Sequence, residues 1–154
     1  VKEKGIVRIK GPLGSFTLLE DSDKPIILLA TGTGYAPIRS ILLDLIRQDS
    51  SRAVHLYWGA RHQDDLYALE EAQELAGRLK NARFSPVLSK ADGCWQGEKG
   101  YVQTAAAKDY PDLSSYEVYA CGSVAMIESA KSVLTAQCSL PETAFYSDAF
   151  SPAQ

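Results

Sequence analysis

The sequence predicts an α/β protein, a three-layer α/β/α sandwich around a doubly wound, five-stranded parallel sheet of order 3-2-1-4-5. Three observations carry this. Short apolar runs alternate with segments of helical periodicity along most of the chain, and strand–helix alternation builds parallel sheets with right-handed crossovers. The run Ile26-Ile27-Leu28-Leu29-Ala30 contains no polar residue, as a strand covered on both faces requires. A glycine-rich loop, Thr31-Gly32-Thr33-Gly34-Tyr35-Ala36-Pro37, then leads into the first helical pattern, at the place where open α/β sheets bind ligands.

The elements follow in order. Gly5-Ile6-Val7-Arg8-Ile9-Lys10 reads as a short strand closed by the turn Gly11-Pro12-Leu13-Gly14. Glu20-Asp21-Ser22-Asp23-Lys24-Pro25 is polar and reads as a linker. Ile26-Ile27-Leu28-Leu29-Ala30 is the first strand of the sheet. Ile38, Ile41, Leu42, Leu45 and Ile46 recur at helical spacing, and Pro37 falls in the first turn, which tolerates its missing N–H. Ala53-Val54-His55-Leu56-Tyr57-Trp58 is the second strand, and Leu66, Leu69, Ala72, Ala76 and Leu79 mark the second helix. Residues 83–88 form the third strand; Pro86 cannot donate to a ladder, which puts this strand at a sheet edge. A glycine-punctuated loop leads to a short helix near 101–107. Glu117-Val118-Tyr119-Ala120-Cys121 is the fourth strand, Met126, Ile127, Ala130, Val133 and Leu134 mark a helix, and residues 143–148 form the fifth strand.

Composition bounds the function. A chain of 154 residues is about one domain. Sixteen basic against 19 acidic residues leave a net charge of −3, which gives no footprint for nucleic acid or an anionic membrane. The apolar run of the first strand is far short of a bilayer span. Cys94, Cys121 and Cys138 are odd in number and lack CxxC spacing, and His55 and His62 are scattered. That argues against a disulfide framework and a metal site, and points to reduced thiols in the cytoplasm. The chain starts at Val1 in strand-like sequence without an initiator Met, which suggests a piece of something longer.

The chemistry concentrates in two loops, 31–37 after the first strand and Cys121-Gly122-Ser123 after the fourth. The order 3-2-1-4-5 makes those strands neighbours and sets the loops across one crevice. Glycines let main-chain amides approach an anion, and the helix near Pro37 adds its positive end; a pyrophosphate suits such a place. The usual dinucleotide fingerprint fails, because Pro37 takes the third glycine's position and Gly59-Ala60-Arg61, not an acidic residue, follows Trp58. No Gly-Lys-Ser/Thr follows the glycines either. Taken alone, the loop also fits a tight strand-to-helix turn with no ligand.

Several motifs together resemble one family. Gly32-Thr33-Gly34-Tyr35-Ala36-Pro37, Tyr57-Trp58-Gly59-Ala60-Arg61 with Asp65-Leu66-Tyr67, Trp95-Gln96-Gly97-Glu98-Lys99-Gly100-Tyr101-Val102, Cys121-Gly122 with Met126, and Phe145-Tyr146-Ser147-Asp148-Ala149-Phe150 occur in order. As a set they resemble the pyridine-nucleotide module of the ferredoxin–NADP reductase superfamily, nearest to NAD(P)H:flavin reductases and CDP-deoxyglucoseen reductase-like oxidoreductases. The resemblance implies that residues 24–150 form an NAD(P)-binding domain. It implies that residues 1–20 are the last strand and turn of an upstream flavin-binding barrel plus linker. Hydride would pass from NAD(P)H to FAD or another flavin on that barrel, and electrons onward to a 2Fe-2S centre elsewhere in the full-length chain or to a ferredoxin-type, oxygenase or dehydrase acceptor. A free-flavin reductase and a non-catalytic nucleotide-sensing module of the same fold are the alternatives.

By the same resemblance Thr31, Gly32, Thr33, Gly34 and Pro37 would serve the pyrophosphate and nicotinamide ribose. Cys121, with Gly122 and Ser123, would position the nicotinamide; the bland reading of Cys121 is a small buried hydrophobe. Arg61 would meet the adenosine end or a 2′-phosphate, and reads equally as a solvated cation near Asp64 and Asp65. Phe150 would abut the flavin or nicotinamide ring, or simply pack an edge strand. Cys94 and Cys138 read as structural, and Trp95 and Gly97 as shaping a loop near the site. No side chain is needed as general acid or base, since hydride transfer is cofactor chemistry that the protein orients.

Overall fold

The computed structural model describes residues 24–66, 68–91, 93–95 and 97–150. The expected barrel remnant at 1–20 lies outside the described residues, as does Tyr67.

Strand β1 (Ile26–Thr31) runs into a single 3-10 turn, Gly32–Gly34, and helix α1 (Tyr35–Arg47). Then follow β2 (Val54–Ala60), α2 (Leu69–Gly77), β3 (Ala82–Leu88), the two-residue β4 (Glu98–Lys99) and α3 (Val102–Asp109). The chain continues through β5 (Glu117–Ser123), α4 (Val124–Gln137) and β6 (Phe145–Phe150). The sheet order is β4-β3-β2-β1-β5-β6, and every pair is parallel.

Without β4 this is the expected order of five strands. The sixth strand is the correction. Glu98 and Lys99 pair with Val87 and Leu88, so β3 is penultimate rather than the edge. Pro86 fits because β4 reaches only the last two residues of β3. Among the described residues, the stretch of β3 ahead of them has no partner on its outer side.

Strand alternation sorts the core into two layers. Ile26, Leu28 and Ala30 of β1, with Leu56, Trp58, Tyr119 and Cys121, pack against α1 and α2. Ile27 and Leu29, with Tyr57, Val118 and Ala120, pack against α3 and α4. Helix α1 forms because Tyr35, Ile38, Ile41, Leu42 and Leu45 share one buried face. The second helix is shorter than its apolar spacing suggests: Leu66 and Leu79 are buried but lie outside it. At the foot of the sheet, Arg52 donates to Glu117 at 2.8 Å and to the Lys24 carbonyl at 2.9 Å. This ion pair is nearly buried, with side chains 9% and 6% exposed.

Candidate functional site

Crossover helices lie on opposite faces either side of β1, so the chain reverses between β1 and β5, where open sheets leave a crevice at the carboxyl ends of the strands. A cleft of about 960 Å³ opens there, at the upper end of the range of about 300–1,000 Å³ usual for small-molecule sites. Its walls come from Thr31 and Gly32 at the end of β1, Gly59, Ala60 and Arg61 at the end of β2, and Ser89 after β3. Residues 100–104 at the start of α3, and Gly122, Ser123, Ala125, Met126 and Ser129 around the start of α4, complete it.

The glycine loop is held from beneath. Gly32 has φ +55° with open space where a Cβ would stand, so its conformation alone calls for glycine. Its carbonyl accepts a hydrogen bond from Trp58 Nε1 at 3.3 Å. Tyr35 stacks on Trp58 with centroids 4.2 Å apart and planes 11° from parallel. The Tyr35 hydroxyl donates to Glu71 Oε1 at 3.0 Å, and Arg39 Nε to Glu71 Oε2 at 2.9 Å.

Gly34 has a different reason. A Cβ there would overlap the Cys121 carbonyl oxygen and stand 2.6 Å from its carbon and 2.9 Å from Gly122 N. The space expected to admit an anion against Gly34 is filled by the main chain of β5. A Cβ at Gly122 would overlap Thr31 Oγ1 and approach Met126 Cε at 3.1 Å. One at Gly59 would stand 2.7 Å from Val102 Cγ1. These glycines let the loops after β1, β2 and β5 and the start of α3 close together.

Helices α1, α3 and α4 all begin at this end of the sheet, and none has an acidic residue in its first turn. Helices α1 and α3 have no side-chain cap, while Ser123 Oγ caps α4 by accepting from Met126 N at 3.2 Å. Uncapped amides and helix dipoles leave positive potential for an anion. Among the described residues, the charged side chains on the cleft are Arg61 and Asp65, and Asp65 Oδ2 accepts from the His62 amide at 3.4 Å. Gln103 is 7% exposed on the cleft wall. Its Nε2 donates to Ser129 Oγ at 3.0 Å, and its Oε1 is buried without a hydrogen bond.

Of the residues singled out in the sequence, Thr31, Gly32, Arg61, Gly122 and Ser123 line the cleft together. Gly34 packs behind it, and Pro37 sits in the first turn of α1, where its missing N–H costs nothing. Thr33 belongs to the 3-10 turn. Cys121 is fully buried on the α1/α2 side of the sheet and does not line the cleft, because alternation along β5 turns it toward that layer with Tyr119. Phe150 ends β6 in register with Ser123; its side chain lies outside the description. Sequence reasoning treated the loop before α3 only as a neighbour of the site, and it missed Gln103 and Ser129. Gln103 stands in the first turn of α3, and nothing in the sequence sets it apart from an ordinary helix position. Among the described residues no group of three or more His, Cys, Asp or Glu is placed to hold a metal, and no helix is long and apolar enough to cross a membrane.

The oxidoreductase NAD-binding domain model matches residues 28–132. The whole chain is 42% identical to the CDP-6-deoxy-L-threo-D-glycero-4-hexulose-3-dehydrase reductase of Yersinia pestis, of which it spans 46%. It is 35% identical over 95% of its length to an NAD(P)H-flavin reductase of Vibrio harveyi, spanning 62% of that protein. Among solved structures, an Amycolatopsis cytochrome P450 reductase superposes with a TM-score of 0.81 at 33% identity, over 94% of this chain and 44% of that one. The chain thus spans about half the length of such relatives. The motifs, the strand order and the cleft agree with the match: this chain belongs to the oxidoreductase NAD-binding domain family, the nicotinamide-nucleotide module of ferredoxin–NADP reductase-like proteins.

Proposed function

We propose that this chain holds NADH or NADPH for hydride transfer to a flavin carried by an upstream flavin-binding domain, with electrons passing on to an iron–sulfur centre or another acceptor. The observation that supports this best is the cleft, where the Gly32 turn and helix starts free of acidic residues meet beside one guanidinium, Arg61. Bound nicotinamide supplies the hydride; the protein supplies placement. The Gly32 turn receives the pyrophosphate. Arg61 faces the adenosine side. Tyr101, 62% exposed on the cleft wall, offers a ring face for a base. Gly122 and Ser123 border the nicotinamide, with Cys121 fixing that stretch of main chain from behind, and Phe150 ends the neighbouring strand at the same level.

The acceptor follows the relatives' names. A dehydrase reductase and a cytochrome P450 reductase both serve a partner enzyme, so a dehydrase or oxygenase, reached through a 2Fe-2S centre or a ferredoxin-type protein, is the acceptor class. The Vibrio flavin reductase supports a second reading, reduction of free flavin. The odd cysteine count without CxxC spacing keeps the cytoplasm as the compartment. Calorimetric titration of the 154-residue chain with NADH, NADPH and ADP-ribose tests the reading. Saturable one-to-one binding is expected, and no heat with any of the three overturns it.

A further inference from the structure

Trp58 is fully buried, two residues before the end of β2, and does not line the cleft. Its position is nevertheless fixed by a ring stack and a hydrogen bond. Its indole stacks on Tyr35, the first residue of α1, and Tyr35 is tied to Glu71 of α2, which also holds Arg39. Its Nε1–H donates to the carbonyl of Gly32, the residue in the left-handed conformation at the cleft.

That bond, together with the 3-10 turn Gly32–Gly34, fixes where the next amide points. No peptide bond in the described chain is cis. In a trans peptide the C=O and the following N–H point in opposite directions. Drawing the Gly32 carbonyl toward the buried indole therefore turns the Thr33 N–H away from the indole. Gly32 has little conformational preference of its own, so the indole supplies what the residue type does not.

We propose that Trp58 is a positioning residue for the dinucleotide: its hydrogen bond to the Gly32 carbonyl aims the Thr33 amide at the pyrophosphate. The proposal rests on the dinucleotide-binding reading above. It assigns to a buried β2 residue a role in anion affinity that packing alone would not give it.

The test compares the 154-residue chain with Trp58→Phe, which keeps a ring against Tyr35 and removes the donor. A second variant carries 3-benzothienylalanine at position 58, which keeps the bicyclic shape and replaces only the N–H with sulfur. ADP-ribose, which contains the pyrophosphate, and adenosine, which contains no phosphate, are titrated by NMR. Both variants are expected to bind ADP-ribose about five- to tenfold more weakly, with adenosine affinity changed less than twofold. Equal losses for the two ligands, or no loss with benzothienylalanine, overturn the proposal and leave Trp58 a packing residue. Absence of ADP-ribose binding by the unaltered chain removes the dinucleotide reading itself, a different result from an unaltered chain that binds and variants that bind equally well.

Discussion

Gly34 and Cys121 are in main-chain contact so close that no side chain fits between them: a Cβ on Gly34 would overlap the Cys121 carbonyl oxygen and stand 2.6 Å from its carbon. The two residues close the floor between the loops after β1 and β5, strands paired with Ala30 opposite Cys121. Neither lines the cleft. Their contact holds the chain around Gly32 on one side and Gly122 on the other in fixed relation, which a site for an extended ligand needs.

The first prediction separates two kinds of glycine. Gly34→Val forces a β-branched side chain into backbone and is expected to destabilise the fold by about 3 kcal/mol or more, the upper end of overpacking costs. Gly32→Ala meets no neighbour and pays only for its left-handed conformation, about 1–2 kcal/mol. Urea unfolding of both variants checks the order. Gly34→Val as stable as the parent would mean that the loop does not rest on β5.

Arg61 tests the choice of dinucleotide. No carboxylate partner holds it among the described residues, and it lies on the cleft. A charge-assisted contact to a 2′-phosphate is worth about 1.5–3 kcal/mol, or roughly 10- to 100-fold in affinity. Arg61→Ala is expected to weaken NADPH by that factor and NADH by less than threefold, measured by calorimetry. Equal effects on the two would place Arg61 away from the 2′ position.

Gln103 is expected to trade stability for binding. Its buried Oε1 lacks a partner, a cost of about 1–3 kcal/mol to the folded chain. Gln103→Leu removes that atom, although Ser129 then loses its donor. The variant is expected to unfold within about 1 kcal/mol of the parent, or above it, while binding ADP-ribose several-fold more weakly. Unimpaired binding would show that the ligand does not use this wall.

The parts of this protein legible in its sequence are those governed by periodicity. The unbroken apolar run of β1, the spacing of Ile38, Ile41, Leu42 and Leu45, and the alternation that repeats through β5 led to the correct order of the five main strands. Strand β4 was not legible, since Glu98-Lys99 is too short to carry a period and is a strand only because Val87 and Leu88 lie beside it. The glycines of the loop were recognisable as a group. Their reasons were not: whether Gly34 faces an anion or the Cys121 carbonyl depends on which strand lies next to it, a long-range fact. The same limit hid the bond from Trp58 to Gly32 across 26 residues and left Gln103 looking like an ordinary helix position.

The last prediction concerns pH and lies away from the cleft. His55 is 2% exposed on β2, its Nδ1 2.8 Å from the Tyr110 hydroxyl and its Nε2 2.7 Å from Ser85 Oγ. Its ring stacks on Tyr57 at 4.1 Å, and Tyr57 donates to Asp109 at 2.7 Å. Burial, reinforced by the nearby Arg83 charge and opposed by Asp109 and Glu98, lowers the His55 pKa from 6.5 to about 4. The sign follows from linkage: above pH 6.5 the ring is neutral folded or unfolded, and stability is untouched. Between about pH 6.5 and 4 the unfolded chain takes up a proton that the folded chain refuses, so stability falls as pH falls and levels off below 4. Allowing for solvent screening, the loss is about 1–2 kcal/mol. His55→Gln keeps a neutral hydrogen-bonding side chain and removes the titration. Urea unfolding at pH 7.5, 6 and 4.5 is therefore expected to show the parent ahead of His55→Gln at pH 7.5 and the gap narrowing by about 1–2 kcal/mol toward pH 4.5. A gap that stays constant with pH would mean that the folded chain protonates His55 as readily as the unfolded one, and that burial does not hold the ring neutral.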